Sequence, residues 1–263
     1  MIGILGAGKY AEAILGQRRQ IQIVSFSDQD FPVETGQIAG QEAVYIHRFG
    51  WGDGRAAHLI RYDHYVQALQ ALEVKIAFTL NGFGGVNPKM QVGDLAVPDD
   101  IVLFLANPEP PTIFSGQGWR RVDVGAGVGG PYCPAVRAAL IKAAQTTKRE
   151  VWEEATNIVV QGPSLETIAE IEALRRMGAD IVSTAPREPK LMKEGHIHYG
   201  SLCWISDSAG QQPVTDWKSP PSEELKAVVE YAVALLSQQP LTCQCQKFWD
   251  QEDAKYRATT STV

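Results

Sequence analysis

Long apolar runs are missing from this chain. No stretch of its 263 residues approaches the roughly 18 to 20 apolar residues that a membrane span needs, and the N-terminus lacks the basic-then-apolar order of a secretory signal. An excess of positive charge is missing too. Lys and Arg number 24 against 30 Asp and Glu, a net charge of −6 with both signs interspersed. That balance argues against nucleic acid or an anionic membrane as partner, because either favours a basic surface. Cysteine is scarce: four residues are too few for a disulfide framework in a chain of this size. Cys133 and Cys203 sit among apolar neighbours as buried thiols. Cys243 and Cys245 form a C-x-C pair with no second pair or histidine cluster close in sequence to complete a zinc site, so no metal is assigned. These absences leave a cytoplasmic protein with a small-molecule partner. A hydrophobic content of 44% suffices for the core of one α/β domain.

The chain is organised around Leu80 to Asp94, L-N-G-F-G-G-V-N-P-K-M-Q-V-G-D, which follows the apolar run Val74 to Phe78. An apolar run that ends in Asn81, Gly82, Gly84 and Gly85 predicts a buried strand opening into a turn, whose unshielded N–H groups suit an anion. Upstream, Met1 to Leu5 reads as a strand, Tyr10 to Leu15 as a helix and Gln20 to Phe26 as a second strand. Gly6-Ala7-Gly8 between strand and helix, with Asp28 after the next strand, fits a dinucleotide fingerprint and raises an NAD-binding dehydrogenase as one alternative. Pro32 to Ile46 predicts a hairpin, and Arg61 to Leu72 a helix feeding the central strand. Asp99 and Asp100 read as turn formers, and Asn107 to Gly130, rich in Gly and Pro, as irregular surface connection. A helix from Ala135 to Ala144, a strand from Ile158 to Gln161, a strand from Ile197 to Ile205 and a helix from Ser222 to Leu236 complete the domain, 1–245. Residues 246–263 are expected to form a tail whose end is poorly ordered.

Three strings carry a resemblance. The central motif with Asn81, Gly84, Gly85, Asn87, Pro88, Lys89, Val92, Gly93 and Asp94, the string Gly162-Pro163-Ser164-Leu165-Glu166-Thr167 followed by Ala169-Glu170, and Ser183-Thr184-Ala185-Pro186 are together similar to the trimeric purine nucleoside phosphorylases and methylthioadenosine phosphorylases. The likeness runs from about residue 1 to 245, and a C-x-C near the C-terminus recurs among the latter enzymes. It implies a single α/β domain with a mixed, partly closed sheet flanked by helices, and a homotrimer with Asn107 to Gly130 as a candidate subunit contact.

The resemblance also implies a site. Glu166 would bind the Watson–Crick edge of a purine, and Asp207 its imidazole edge and 6-substituent. Asn81, Gly82, Phe83, Leu165, Val182 and Ser206 would surround the nucleoside, and Arg48, Ser183, Ala7 and Gly8 the phosphate. An Asp at 207, where 6-oxopurine enzymes carry Asn, points to adenine. A protonated carboxyl there can stabilise the charge that develops on the leaving base. The implied reaction is phosphorolysis of adenosine or 5′-methylthioadenosine, with phosphate as co-substrate and no metal or organic cofactor. Three positions depart from the family. Ala7 replaces a Ser or Thr that touches phosphate, Phe49 or Gly50 falls where a histidine is expected, and Ala209 replaces a second Asp. Lys9 and His47 are the substitutes at hand for the phosphate donors, and a phosphate-independent hydrolase or a non-catalytic nucleoside-binding protein are the alternatives.

Overall fold

The structure is a computed structural model that describes residues 1–26, 29–51, 54–103, 112–114, 124–125, 129–184, 188–210, 218–238 and 240–260, with backbone alone for 256–260. In chain order the strands are β1 Ile2–Gly6, β2 Gln20–Phe26, β3 Gln29–Ile38, β4 Gln41–His47, β5 Ile76–Gly85, β6 Leu95–Ala96, β7 Asp100–Leu103, β8 Val151–Trp152, β9 Thr156–Val159, β10 Ile181–Ser183 and β11 His198–Ser208. The α-helices are α1 Ala11–Leu15, α2 Tyr62–Ala71, α3 Pro134–Ala144, α4 Ile168–Arg176, α5 Glu188–Glu194, α6 Ser222–Gln238 and α7 Cys245–Thr260. Among the described residues no helix is long and apolar enough to cross a membrane.

The strands form one mixed sheet, ordered β2-β3-β4-β1-β5-β10-β9-β7, with β11, β6 and β8 branching from β5. β5 is the hub. It runs parallel to β11 along its whole length, while its other edge changes partner. Ile76 to Thr79 pair with β1, and Gly84 and Gly85 pair antiparallel with β10. Between them, residues 80–83 pair with no strand on that side among the described residues, and the sheet splits there.

Helices cover both faces. On one, Ile4, Tyr45 and Phe78 of the strands pack with Leu140, Val229 and Trp249 of α3, α6 and α7. On the other, Leu5, Ile46 and Ala77 meet Val66, Leu69 and Leu191 of α2 and α5. The buried stripe of α6, Leu225, Val228, Val229, Ala232, Val233 and Leu236, follows the 3.6-residue period that its sequence displays.

Three expectations change. The glycines at 82, 84 and 85 do not form a turn: β5 continues through them, none has positive φ, and Gly82 and Gly84 pair with Trp204 and Asp207 of β11. They are small because neighbours press on the strand. A Cβ on Gly82 would lie 2.7 Å from Trp204 Nε1. The dinucleotide alternative fails on topology. β2 is antiparallel to β3 at the sheet edge, whereas β1 lies between β4 and β5, so the strand after the glycine loop is not the parallel neighbour that fold requires; Asp28 itself lies outside the described residues. Finally, most of the expected tail is helix α7. Phe248 and Trp249 are 5% and 2% exposed, and the Trp249 indole N–H donates to the Lys193 carbonyl at 3.1 Å. Cys245, Phe248 and Trp249 share one face at i, i+3 and i+4, and the exposed charges Lys247 and Asp250 lie on the other. The stretch from Asn107 to Gly130 lies largely outside the described residues.

Candidate active site

A cavity of ≈ 240 Å³ opens where the sheet splits, lined by Asn81, Gly82, Phe83 and Gly84 of β5, by Val182, Ser183 and Thr184, by Leu165 and Glu166, and by Phe49 and Asp207. The volume is just under the low end, about 300 Å³, of small-molecule sites. A volume of that size has room for a small planar ring. A wider cleft of ≈ 740 Å³ between Leu15, Arg18, Gln20, Thr35 and Glu42 has one carboxylate in its lining, against the pair in the smaller cavity, and it is the less specific hollow.

Asp207 reaches the cavity through a bulge. The register between β11 and β5 steps from Ile205↔Phe83 to Asp207↔Gly84, leaving Ser206 as the extra residue. A bulge re-aims the side chains beside it. The Ser206 hydroxyl donates to Asp207 Oδ1 at 2.7 Å and also lies 3.2 Å from the Phe83 carbonyl, so Ser206 braces the carboxyl from behind without lining the cavity. Oδ2 is the freer oxygen. A Cβ on Gly84 would come within 3.4 Å of it and 3.1 Å of Val182, so glycine there keeps the approach to this oxygen open.

Glu166 enters from the segment between β9 and α4. Its neighbour Thr167 is the N-cap of α4 and forms a capping box with Glu170, which fixes where the helix starts. Glu166 is thereby left to face the cavity instead of capping the helix. Burial pushes the Glu166 carboxyl above its ordinary range, and the nearby Asp207 charge adds to the effect. Burial likewise raises Asp207, against the opposing Ser206 hydrogen bond. Two carboxyls with raised proton affinity thus share one small hollow, and among the described residues no basic side chain lines it.

The expected phosphate ligands are placed differently. Ser183 lines the cavity and donates to Asn157 Oδ1 at 3.2 Å. Arg48 does not line it. Its guanidinium is fully buried, with Nε donating to Glu188 Oε1 at 2.7 Å, and among the described residues Nη1 and Nη2 have no hydrogen-bond partner. Beside Glu188 the guanidinium stays protonated at all accessible pH, although burial opposes the charge. Ala7 and Gly8 also lie off the cavity. The Ala7 carbonyl accepts from Tyr45 Oη at 2.8 Å, and the loop packs against the His47 ring, which a Cβ on Gly8 would meet at 2.7 Å. His47 pairs through Nε2 with Glu34 Oε1 at 2.8 Å and stacks on Trp51, and Lys9 lies over the Tyr10 ring. Neither lines the cavity.

Gly84, Thr184 and Phe49 line the cavity without having been assigned a site role from sequence. The first two sit inside strings already singled out. Phe49 occupies one of the two positions where the family histidine was expected, so an apolar ring stands where a donor would. Other polar residues of the central motif hold the scaffold. Asn87 Nδ2 donates to Asp180 Oδ1 at 2.8 Å, and Asp94 Oδ2 accepts from Gln91 N and Trp152 Nε1, both at 2.9 Å.

The sequence compares with known proteins as follows. The Phosphorylase superfamily profile matches residues 2–238. A probable S-methyl-5′-thioinosine phosphorylase of Methanopyrus kandleri is 32% identical over 79% of this chain and 78% of its own length. A 6-oxopurine nucleoside phosphorylase of Pyrococcus furiosus is 30% identical over 67% of this chain and 68% of its own. Among solved structures, a variant of the adenosine/methylthioadenosine phosphorylase of Schistosoma mansoni in complex with adenine superposes with a TM-score of 0.85 at 19% identity, covering 98% of this chain and 99% of that one. The split sheet, the profile that spans nearly all of it and the relatives at 30% identity and above agree: this chain belongs to the phosphorylase superfamily, among the purine nucleoside and methylthioadenosine phosphorylases.

Proposed function

We propose that this protein cleaves the N-glycosidic bond of a 6-aminopurine nucleoside, adenosine or 5′-methylthioadenosine, with phosphate as the acceptor. The observation that carries the reading is Asp207 Oδ2, presented to the cavity on a carboxyl whose other oxygen already accepts from Ser206. A protonated carboxyl has one donor and one acceptor. N7 of adenine accepts and its 6-amino group donates, so the two edges match. Hypoxanthine offers two acceptors there, and an Asp cannot satisfy both.

In the reaction a phosphate oxygen bonds to C1′ as the C1′–N9 bond breaks. The bonding pair leaves with the purine, Asp207 delivers its proton to N7, and adenine and a pentose 1-phosphate result; solvent returns the proton to Asp207. Glu166 holds the far edge of the base. An oxyanion nucleophile and a neutral carboxyl supply this chemistry without a metal or organic cofactor. Phosphate is assigned to Ser183, Thr184 and Asn81 in the cavity; the Arg48 guanidinium, buried off the cavity next to Phe49 in sequence, would contribute its positive charge without contact. A homotrimer belongs to the same proposal. It is supported by Leu165 and Ile168, apolar yet 44% and 66% exposed beside Glu166, where a neighbouring subunit would complete the site.

A 6-oxopurine nucleoside is the second reading. The names of both relatives favour it, and an ionised Glu166 would accept from N1–H of such a base. Chromatography of adenosine, 5′-methylthioadenosine, inosine and 5′-methylthioinosine, each with and without phosphate, separates the two. The first reading expects adenine release that requires phosphate and exceeds hypoxanthine release. The reverse order favours the second, and base release without phosphate overturns both in favour of hydrolysis.

A further inference from the structure

We propose that the protein carries a structural zinc site formed by Cys133, His198, Cys243 and Cys245, remote from the nucleoside cavity. The expectation of no metal rested on distance along the chain, and folding removes that distance. Cys133 is the N-cap of α3, His198 opens β11, and Cys243 and Cys245 lead into α7. Their four ligand atoms lie within 4.8 Å of one another.

The dimensions fit a small tetrahedral ion. With Zn–S of about 2.3 Å and Zn–N of about 2.0–2.1 Å, the S···N edge of a regular tetrahedron is about 3.5 Å and the S···S edge about 3.8 Å. Nδ1 of His198 lies 3.4 Å from Cys133 Sγ and 3.5 Å from Cys243 Sγ. Both distances match the S···N edge, so a contraction of the wider separations by about 1 Å closes the shell. Nδ1 would be the ligating nitrogen, with the ring proton on Nε2.

Donor chemistry and surroundings agree. Three thiolates and one imidazole form a recurrent structural zinc set, closed to substrate because all four positions come from protein. Such a site has a net charge of −1, and the buried Lys193, 3% exposed, sets a positive charge against α7, its ammonium 5.2 Å from the centre of the Phe248 ring. Trp249 packs edge-on to His198 at 4.8 Å and covers that side. The ion would tie the entry of α7 to the first residue of β11 and the start of α3, an arrangement that does not depend on which nucleoside the cavity takes.

Metal analysis of the full-length protein, expressed in zinc-supplemented medium and purified under reducing conditions, tests the site. One zinc ion per chain is expected. His198→Ala and Cys243→Ser should each reduce zinc retention at least as much as the roughly 10- to 100-fold that loss of an outer-shell partner costs. Cys203→Ser, at a buried thiol hydrogen-bonded to Ser201, should retain it. Cobalt(II) added to metal-stripped wild type gives a second readout that needs no variant: intense visible bands of tetrahedral thiolate coordination are expected. Zinc absent from wild type even after incubation with zinc and reductant, weak octahedral cobalt bands, or a Cys243–Cys245 disulfide persisting under reducing purification would each overturn the proposal.

Discussion

At the end of the cavity where Glu166 and Asp207 meet, the backbone sets position: a bulge at Ser206 aims one carboxyl, and the Thr167 cap ends the segment that presents the other. Off the cavity, Arg48 directly follows β4, yet side-chain identity has altered what surrounds it. Ala7 brings no hydroxyl, Phe49 brings a ring in place of a donor, and the guanidinium is held by Glu188. On the proposed reading the base end keeps both carboxyls, whereas the phosphate end keeps only hydroxyls and the Asn81 amide, the nearest family cation being buried off the cavity with Nη1 and Nη2 unpartnered among the described residues. A fold can therefore keep the geometry of one subsite while substitution retunes the other. Losing two donors to a charged partner, each worth about 1.5–3 kcal/mol, predicts weak phosphate binding, with saturation at roughly 100-fold or more above the level of a fully furnished site.

The sharpest break in this contrast comes from the buried pair. Glu188→Ala leaves the Arg48 charge uncompensated and should cost about 3–5 kcal/mol in urea unfolding. A change within the roughly ±0.5 kcal/mol of ordinary surface sites would mean that the guanidinium is satisfied elsewhere. Next in size, Asp207→Ala should lower kcat by about 10²–10³-fold with adenine nucleosides, the loss typical of a group that stabilises developing charge. Phosphate KM should hardly move, since the change lies at the base end.

Phe49→His probes the other end and should lower phosphate KM by roughly tenfold, about 1.4 kcal/mol, leaving nucleoside KM within a factor of about two. Steady-state kinetics with each substrate varied in turn checks both variants. The smallest effect is one of stability against pH. Asp207 binds its proton more tightly folded than unfolded, so its contribution is present below the unfolded carboxylate value and is lost as pH rises through the folded value. Asp207→Asn escapes that loss. It should melt higher than wild type at about pH 8 and show no such gain at about pH 3, below the ordinary Asp value of about 3.9. Calorimetric scans at the two pH values decide it.

Much of this contrast was legible in the residues. The alternation of apolar runs located β1, β2, β5, β11 and α6, and the strings around Glu166 and Asp207 pointed to residues that the fold brings into one cavity. Other features were hidden for physical reasons. Gly82, Gly84 and Gly85 read as a turn because glycine marks both a turn and a crowded strand, and only the Trp204, Val182 and Asp207 side chains from other elements distinguish the two. The burial of Arg48 depends on Glu188, 140 residues away in sequence, and no local pattern announces it. α7 was masked by its charges, and the cysteine and histidine cluster by sequence distance. Ala7 and Phe49, in contrast, were visible as departures from the family pattern before any coordinates.

Calorimetric titration of adenine into the wild type, Glu166→Ala and Asp207→Ala tests most directly whether a purine lies between the two carboxyls. Saturable binding to the wild type, weakened roughly tenfold or more in each variant, is the predicted result, corresponding to the loss of one hydrogen bond of about 1.4 kcal/mol. Adenine that fails to bind the wild type, or that binds all three proteins equally, would contradict it.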